Sequence, residues 1–274
     1  MRTVQRKRVL ITGSGRGIGR ALALRFAADG AELVISDVDQ GAIDAVVAEI
    51  EGAGGKALGV VLDVTDPASI AAARDRVHAE AGPIDILVNN AGTVHGGPFL
   101  DVPLERHLLT YKINVDGVVA VTHAFLPDVV ASDGGHLVNI ASASGLIGLP
   151  YGSTYASSKW AVIGLTDSLR VELGLLGHHH VGVTAVCPSY VDTGLFEGAR
   201  PPTATRMLTP ERLAELTLRA VLKNRPYVRS PWLVKFTPPL KALLPASWFD
   251  AVSRMLGATR SMTGWSGHGG GAGR

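Results

Sequence analysis

Short runs of Val, Ile and Leu alternate with longer helical stretches, and this alternation limits the fold more than any other feature of the chain. The apolar runs cover 8–12, 32–36, 58–62, 84–88, 135–140 and 181–186. Between them, spacings of three and four predict helices over 18–29, 41–52, 67–81, 104–130 and 153–176. Six strands separated by helices imply an α/β fold with a doubly wound parallel sheet, because right-handed crossovers put helices on both faces. Ligands of such sheets bind at the carboxyl ends of the strands. The 274 residues, 46% hydrophobic with 33 Gly and few aromatics, suit one closely packed domain. We expect that domain over 1–222, an amphipathic basic extension over 223–260 and a flexible Gly-rich tail over 261–274.

A formal charge of +2 supplies no basic field for a nucleic acid. The single Cys187 excludes an internal disulfide and is expected as a small buried hydrophobe. The first eight residues lack the apolar stretch of a secretory signal, so a cytoplasmic location is expected. Segment 134–158 is free of Asp, Glu, Lys and Arg but rich in Gly, Ser, Asn and Pro, and no transmembrane helix is expected there. The adjacent His178, His179 and His180 diverge from one another in a connection, so no metal site is assigned.

The first strand runs into Thr12-Gly13-Ser14-Gly15-Arg16-Gly17-Ile18-Gly19 and then into a helix. Backbone amides and the positive helix terminus then face a ligand above the strand, as a pyrophosphate requires. Gly13 suits the tight turn, Gly17 a close backbone approach and Gly19 the packing of helix on strand. The spacing Gly-x-x-x-Gly-x-Gly differs from the general Gly-x-Gly-x-x-Gly fingerprint. Asp37, at the end of the second strand, is placed to accept from the adenosine ribose and to repel the extra phosphate of NADP, which favours NAD. Arg16 favours NADP instead, through a guanidinium–phosphate pair. Asp63 and Val64 after the third strand suit the adenine, or a turn.

Tyr155 and Lys159 stand four apart in a helix, so both heads reach one point. A free phenol titrates near ~10, and a neighbouring ammonium would help its anion form. Ser142, at the end of the fifth strand, is placed to hold a substrate oxygen beside the phenol. Asn114, inside the helix from residue 104, is placed to fix a water linking Lys159 to solvent.

Taken in order, Thr12-Gly13-x-x-x-Gly17-x-Gly19, Asp63, Asn89-Asn90-Ala91-Gly92, Asn114, Ser142 and Tyr155-x-x-x-Lys159 resemble the motifs of the short-chain dehydrogenase/reductase family over about residues 5–195. The resemblance implies a hydride transfer between a nicotinamide and an alcohol or ketone. Tyr155 would be the acid/base, with Lys159 on the nicotinamide ribose, Ser142 on the substrate and Asn114 on the relay water. Asn90, with Ala91 and Gly92, would support the sheet and line the cofactor site. Pro188, Val191 and Thr193 would cover the nicotinamide and a phosphate. Ser189 departs from the family's Gly, which implies a differently shaped loop there. Family members commonly pair through the helices bearing Asn114 and Tyr155, so a homodimer or homotetramer is expected. An epimerase or dehydratase using NAD transiently, or a dinucleotide-sensing regulator, would keep the same fold.

The expected substrate pocket comprises Ser144, Leu149, Tyr151, Tyr190, Leu195 and Phe196, a largely apolar set that fits a lipophilic secondary alcohol or ketone. Residues 223–260 carry seven cations against Asp250, a balance of +6, while the rest of the chain carries −4. Trp232, Phe236, Leu240, Trp248 and Met255 are interleaved with those cations. Such a segment suits peripheral contact with an anionic membrane, or packing on the pocket or on a partner subunit.

Overall fold

Val9, Leu10 and Ile11 of β1 (Arg8–Thr12) are fully buried, as a strand lying between two helical layers must be. Val9 and Ile11 join a layer that includes Phe26, Ile43 and Leu213, while Leu10 and Leu87 join another that includes Val77 and Phe125. The computed structural model describes residues 3–202 and 207–267. From β1 the chain passes through α1 (Gly17–Ala28), β2 (Glu32–Asp37), α2 (Gln40–Gly52), β3 (Lys56–Val61) and α3 (Pro67–Glu80). It then crosses to β4 (Ile86–Asn89), α4 (Leu104–Tyr111), α5 (Gly117–Ala131), β5 (His136–Ile140), α6 (Ser153–Leu175), β6 (Gly182–Pro188) and α7 (Pro210–Leu222).

Seven parallel strands form the sheet, in the order β3-β2-β1-β4-β5-β6-β7. The seventh, β7 (Tyr227–Ser230), pairs with β6 and lies inside the stretch expected as a basic extension. With four residues, two of them Tyr and Arg, it shows no apolar run, so periodicity passes over it. The sheet therefore reaches beyond residue 222. Past β7 come α8 (Leu233–Leu243) and α9 (Ala246–Met255). The tail expected to be flexible from 261 instead packs back on the domain: Ser261 and Met262 are buried and Arg200 N donates to Ser261 O. Residues 268–274 of that expectation lie outside the described residues.

The strand order reverses between β1 and β4, so their carboxyl ends part and leave a crevice. The helix expected over 104–130 is one 28-residue run whose ladder widens into a π turn at Lys112–Asp116, with Asn114 at its centre. By length and composition this helix would cross a bilayer. Val118, Val121, Phe125 and Val129 of this helix are buried in the protein, whereas Leu104, Leu108 and Val119 are exposed.

Candidate active site

Above β1, Gly13 (φ +61°) and Gly17 (φ +55°) both occupy the left-handed region, so the turn demands glycine at each. A Cβ on Gly19 would strike the Gly13 carbonyl and the Asn90 amide, which fixes how closely α1 sits on the turn. Asn90 Nδ2 donates to Thr12 O (2.9 Å) and Gly13 O (2.8 Å), tying the end of β4 to the glycine turn. Ala91 N donates to Thr12 Oγ1 on the same tie.

Ser14 has a different place from the one expected. Its amide donates to Ser36 O and its hydroxyl accepts from Ser36 N while donating to Ile11 O, so neither is left for a phosphate. The open amides lie one step further on. At the start of α1 the N-cap Arg16 makes no side-chain cap, whereas α2, α3 and α7 are capped by Asp39, Asp66 and Thr209. The first-turn donors at Gly17, Ile18 and Gly19 thus lack the capping side chain that α2, α3 and α7 have. Arg16 itself is exposed. Thr193 lies over this turn, its Cβ 3.4 Å from where a Cβ on Gly17 would stand. An uncapped positive terminus beneath a threonine fits a pyrophosphate.

Asp37 closes the far end of the cradle. It is buried, and its carboxylate accepts from Gly15 N (3.1 Å) and Val38 N (2.8 Å), which binds the glycine loop to β2. Asp63 Oδ1 accepts from both the amide and the hydroxyl of Thr65, so that oxygen organises a turn, and Val64 packs against Gly117. Gly92 lies between the two halves of the site. A Cβ there would stand 3.3 Å from Asn114 Oδ1 and 3.5 Å from Lys159 Nζ, within space that a ribose or a water would use.

Lys159 is buried with its ammonium donating to Ile140 O (2.9 Å), and its Nζ lies 5.7 Å from the centre of the Tyr155 ring. Burial pulls Lys159 down to about 8, since a charged amine loses its water. Burial pushes Tyr155 up to about 12, with a hydrogen bond to Ser142 acting against it. Ser142, Tyr155 and Lys159 therefore converge from β5 and α6. Asn114 joins them by another route. Both Nδ2 hydrogens are engaged, on Thr93 O (2.9 Å) and Ser158 Oγ (3.0 Å), and Oδ1 accepts from Thr93 N (2.8 Å). The amide is thus a clamp between the π turn and the β4 loop. The expectation that it fixes a water narrows to the one acceptor position remaining on Oδ1.

An open pocket lies beside Tyr155, lined by Ser144, Leu149, Tyr190 and Phe196 among the expected residues. Two others lie off its wall. Leu195 packs behind Tyr155 and Tyr190 and accepts Trp265 Nε1 at its carbonyl, while Tyr151 is part exposed and accepts Gly97 N. Ser189 lines the pocket, donates its amide to Ser230 O and has no left-handed backbone, so Ser is accommodated where the family has Gly. Pro188 ends β6, and Val191 is buried and bridged to Leu208. Ala258, from the extension for which packing on the pocket was one expectation, also lines the wall, and the sequence offered no sign of Pro202 and Ser261, which join it there. Periodicity carries no trace of a segment that folds back from the far end of the chain. Cys187 is fully buried and burial pushes its thiol up to about 12, which keeps it inert.

A dinucleotide cradle on one side of the switch point and a Tyr–Lys–Ser cluster on the other define a nicotinamide-dependent α/β oxidoreductase acting at a CH–OH or C=O carbon. A family model described as short chain dehydrogenase matches residues 7–203, and this chain belongs to that family. Epidermal retinol dehydrogenase 2 of Mus musculus is 35% identical over 262 residues, 94% of this chain and 85% of the relative. Estradiol 17-beta-dehydrogenase 11 of Macaca fascicularis is 32% identical over 252 residues, 90% and 82% of the two chains. A short chain dehydrogenase/reductase from Burkholderia phymatum, solved in complex with NAD, superposes with a TM-score of 0.81 at 28% identity, covering 94% of this chain and 98% of that one.

Proposed function

We propose that this enzyme interconverts a lipophilic secondary alcohol and its ketone with NAD, using Tyr155 as the acid/base. The observation that carries the reading is a buried phenol on the wall of an apolar pocket, hydrogen-bonded to Ser142 and four residues from an ammonium. The bound nicotinamide would accept or return the hydride. Gly17, Ile18, Gly19 and Thr193 would hold its pyrophosphate, Asp37 the adenosine ribose and Lys159 the nicotinamide ribose, with Asp63 and Val64 at the adenine and Gly92, Pro188 and Val191 beside the nicotinamide.

In the oxidative direction, Ser142 holds the substrate hydroxyl and Tyr155 takes its proton at the phenolic oxygen. A phenol at about 12 is a poor base near neutrality, so its anion needs positive charge close by. Lys159, charged at pH 7 even with its affinity lowered to about 8, supplies one such charge. Its hydrogen bond to Ile140 O keeps that ammonium in place. Asn114 positions the β4 loop beside Lys159, and a water on Oδ1 would return the proton to solvent.

The lipophilic substrate is supported by the pocket lining and by the names of the retinol and estradiol dehydrogenases that the chain resembles. The buried Asp37 carboxylate supports NAD over NADP. Exposed Val119 of α5 with Val171 and Leu175 of α6 supports pairing of two copies, and the basic C-terminal stretch supports peripheral membrane contact from the cytoplasm. Turnover of retinol, hydroxysteroids, acyl derivatives and simple secondary alcohols, each with NAD and NADP, tests the proposal. We expect NAD with a lipophilic alcohol to give the highest kcat/KM. Faster turnover with NADP would overturn the cofactor, and faster turnover of small alcohols the substrate class.

A further inference from the structure

The two C-terminal helices present apolar side chains to water that the domain core does not use. On α8, Trp232, Phe236, Leu240 and Leu243 recur at intervals of four, four and three, so they share one face. Val234 on the opposite face is buried, and Lys241 lies 3.7 Å from the centre of the Trp160 ring, which holds that face of α8 on α6. The outward face is open: Trp232 is 61% exposed and Leu243 80%. On α9, Trp248 and Met255, seven apart, are 67% and 77% exposed. Lys235 and Arg254 flank the two stripes and are exposed as well.

We propose that the outer face of α8 and α9 docks on an anionic lipid bilayer at the rim of the substrate pocket. This names the membrane surface for the peripheral contact above and rests on the lipophilic-substrate reading. Charge complementarity selects the occupant. The stretch 223–260 carries +6, and at the outer face itself the exposed Lys235 and Arg254 outnumber Asp250, so a negative lipid surface attracts this face while a second copy would bring like charge to it. Two exposed Trp residues among cations match the chemistry of the headgroup layer, where an amphipathic ring has one side in hydrocarbon and one in water. The path to the pocket is short in sequence, because Ala258 and Ser261, just past α9, form part of its wall. A hydrophobic alcohol held in the bilayer would then meet the pocket without crossing bulk water.

Sedimentation of the full chain with phosphatidylcholine vesicles, with and without about one third phosphatidylserine, tests this at low and high salt. We expect binding to the anionic vesicles alone, released by salt. Lys235→Glu with Arg254→Glu should weaken it at least about 25-fold, on the order of fivefold per cation removed. Trp232→Ser with Trp248→Ser should weaken it about tenfold or more, and since all four side chains are exposed the fold should persist, as circular dichroism would show. The proposal is overturned by a wild-type chain that stays in the supernatant. It is equally overturned by variants that sediment like wild type, or by variants that lose a dimer in light scattering while keeping vesicle binding. Turnover of a small soluble alcohol with NAD, measured in parallel, reports on the enzymatic reading separately: its failure with intact vesicle binding, or the reverse, shows which of the two has fallen.

Discussion

The Tyr190 hydroxyl donates to Ser261 Oγ at 2.7 Å, joining the loop after β6 to a segment 71 residues further along the chain. Trp265 adds a second tie through Nε1 to Leu195 O (3.2 Å), with its ring against Gly96 on the loop after β4. The C-terminal segment is therefore held against the pocket, whose wall it helps to form, by ties to the loops after β6 and β4. Tyr190→Phe keeps the ring against Phe196 and removes only the hydrogen bond, since Ser261 Oγ still donates to Ala258 O. The loss should be about 1 kcal/mol, lowering Tm by roughly 2–4 °C. Calorimetry checks this, and an unchanged Tm would show the tie contributes nothing.

Tyr155→Phe should lower turnover by at least about a thousandfold while NAD affinity stays within about threefold, because the cradle residues are untouched. Fluorescence titration of the cofactor beside a steady-state assay separates the two effects. Retention of more than about a tenth of wild-type turnover, which is ~1.4 kcal/mol of barrier, would assign the proton transfer elsewhere.

Asp37→Asn keeps the shape of the side chain and one of its two acceptor oxygens, which go to Gly15 N and Val38 N, and removes its charge. Two like charges ~4 Å apart at an effective dielectric near 20 repel by about 4 kcal/mol, so relief of even part of this should raise relative use of NADP at least about tenfold. The ratio of kcat/KM for the two cofactors is the measurement. A wild-type enzyme already preferring NADP would remove the premise.

The expected β-runs and glycine turn located six strands, the switch point and the catalytic cluster, because each depends on short-range pattern: buried strands read as apolar runs, and Tyr155 and Lys159 meet through helical spacing alone. What escaped depends on distance. Ser14 reads as part of a phosphate loop until the bond from Ser36 N shows it holding two strands together. The π turn around Asn114 leaves no mark on residues that remain helical. Asn89 and Asn139, joined through Nδ2 to Oδ1 at 2.8 Å across β4 and β5 and anchored on Thr122 and Thr166, form a buried polar ladder that no local pattern announces. The tail held against the pocket is likewise a contact between chain segments far apart in sequence.

Lys159→Met should inactivate the enzyme and yet stabilise it at neutral pH. Burial lowers the lysine from an ordinary 10.5 to about 8, so the folded state binds fewer protons than the unfolded one between those values. Its stability therefore rises with pH across that window, and below pH 8 the fold carries the full cost of a buried ammonium, about 3 kcal/mol. Methionine fills similar space without charge but leaves Ile140 O without its donor, which costs about 1–3 kcal/mol. The net gain below pH 8 should be about 1 kcal/mol, or roughly 2–4 °C in Tm. As pH rises from 8 to 10.5 the wild-type amine loses its charge and keeps its hydrogen bond, so the gain should shrink and then reverse. Thermal denaturation of both proteins across this range checks the sign. A difference that is flat with pH, or that grows, would mean the ammonium is not held at a cost to the fold.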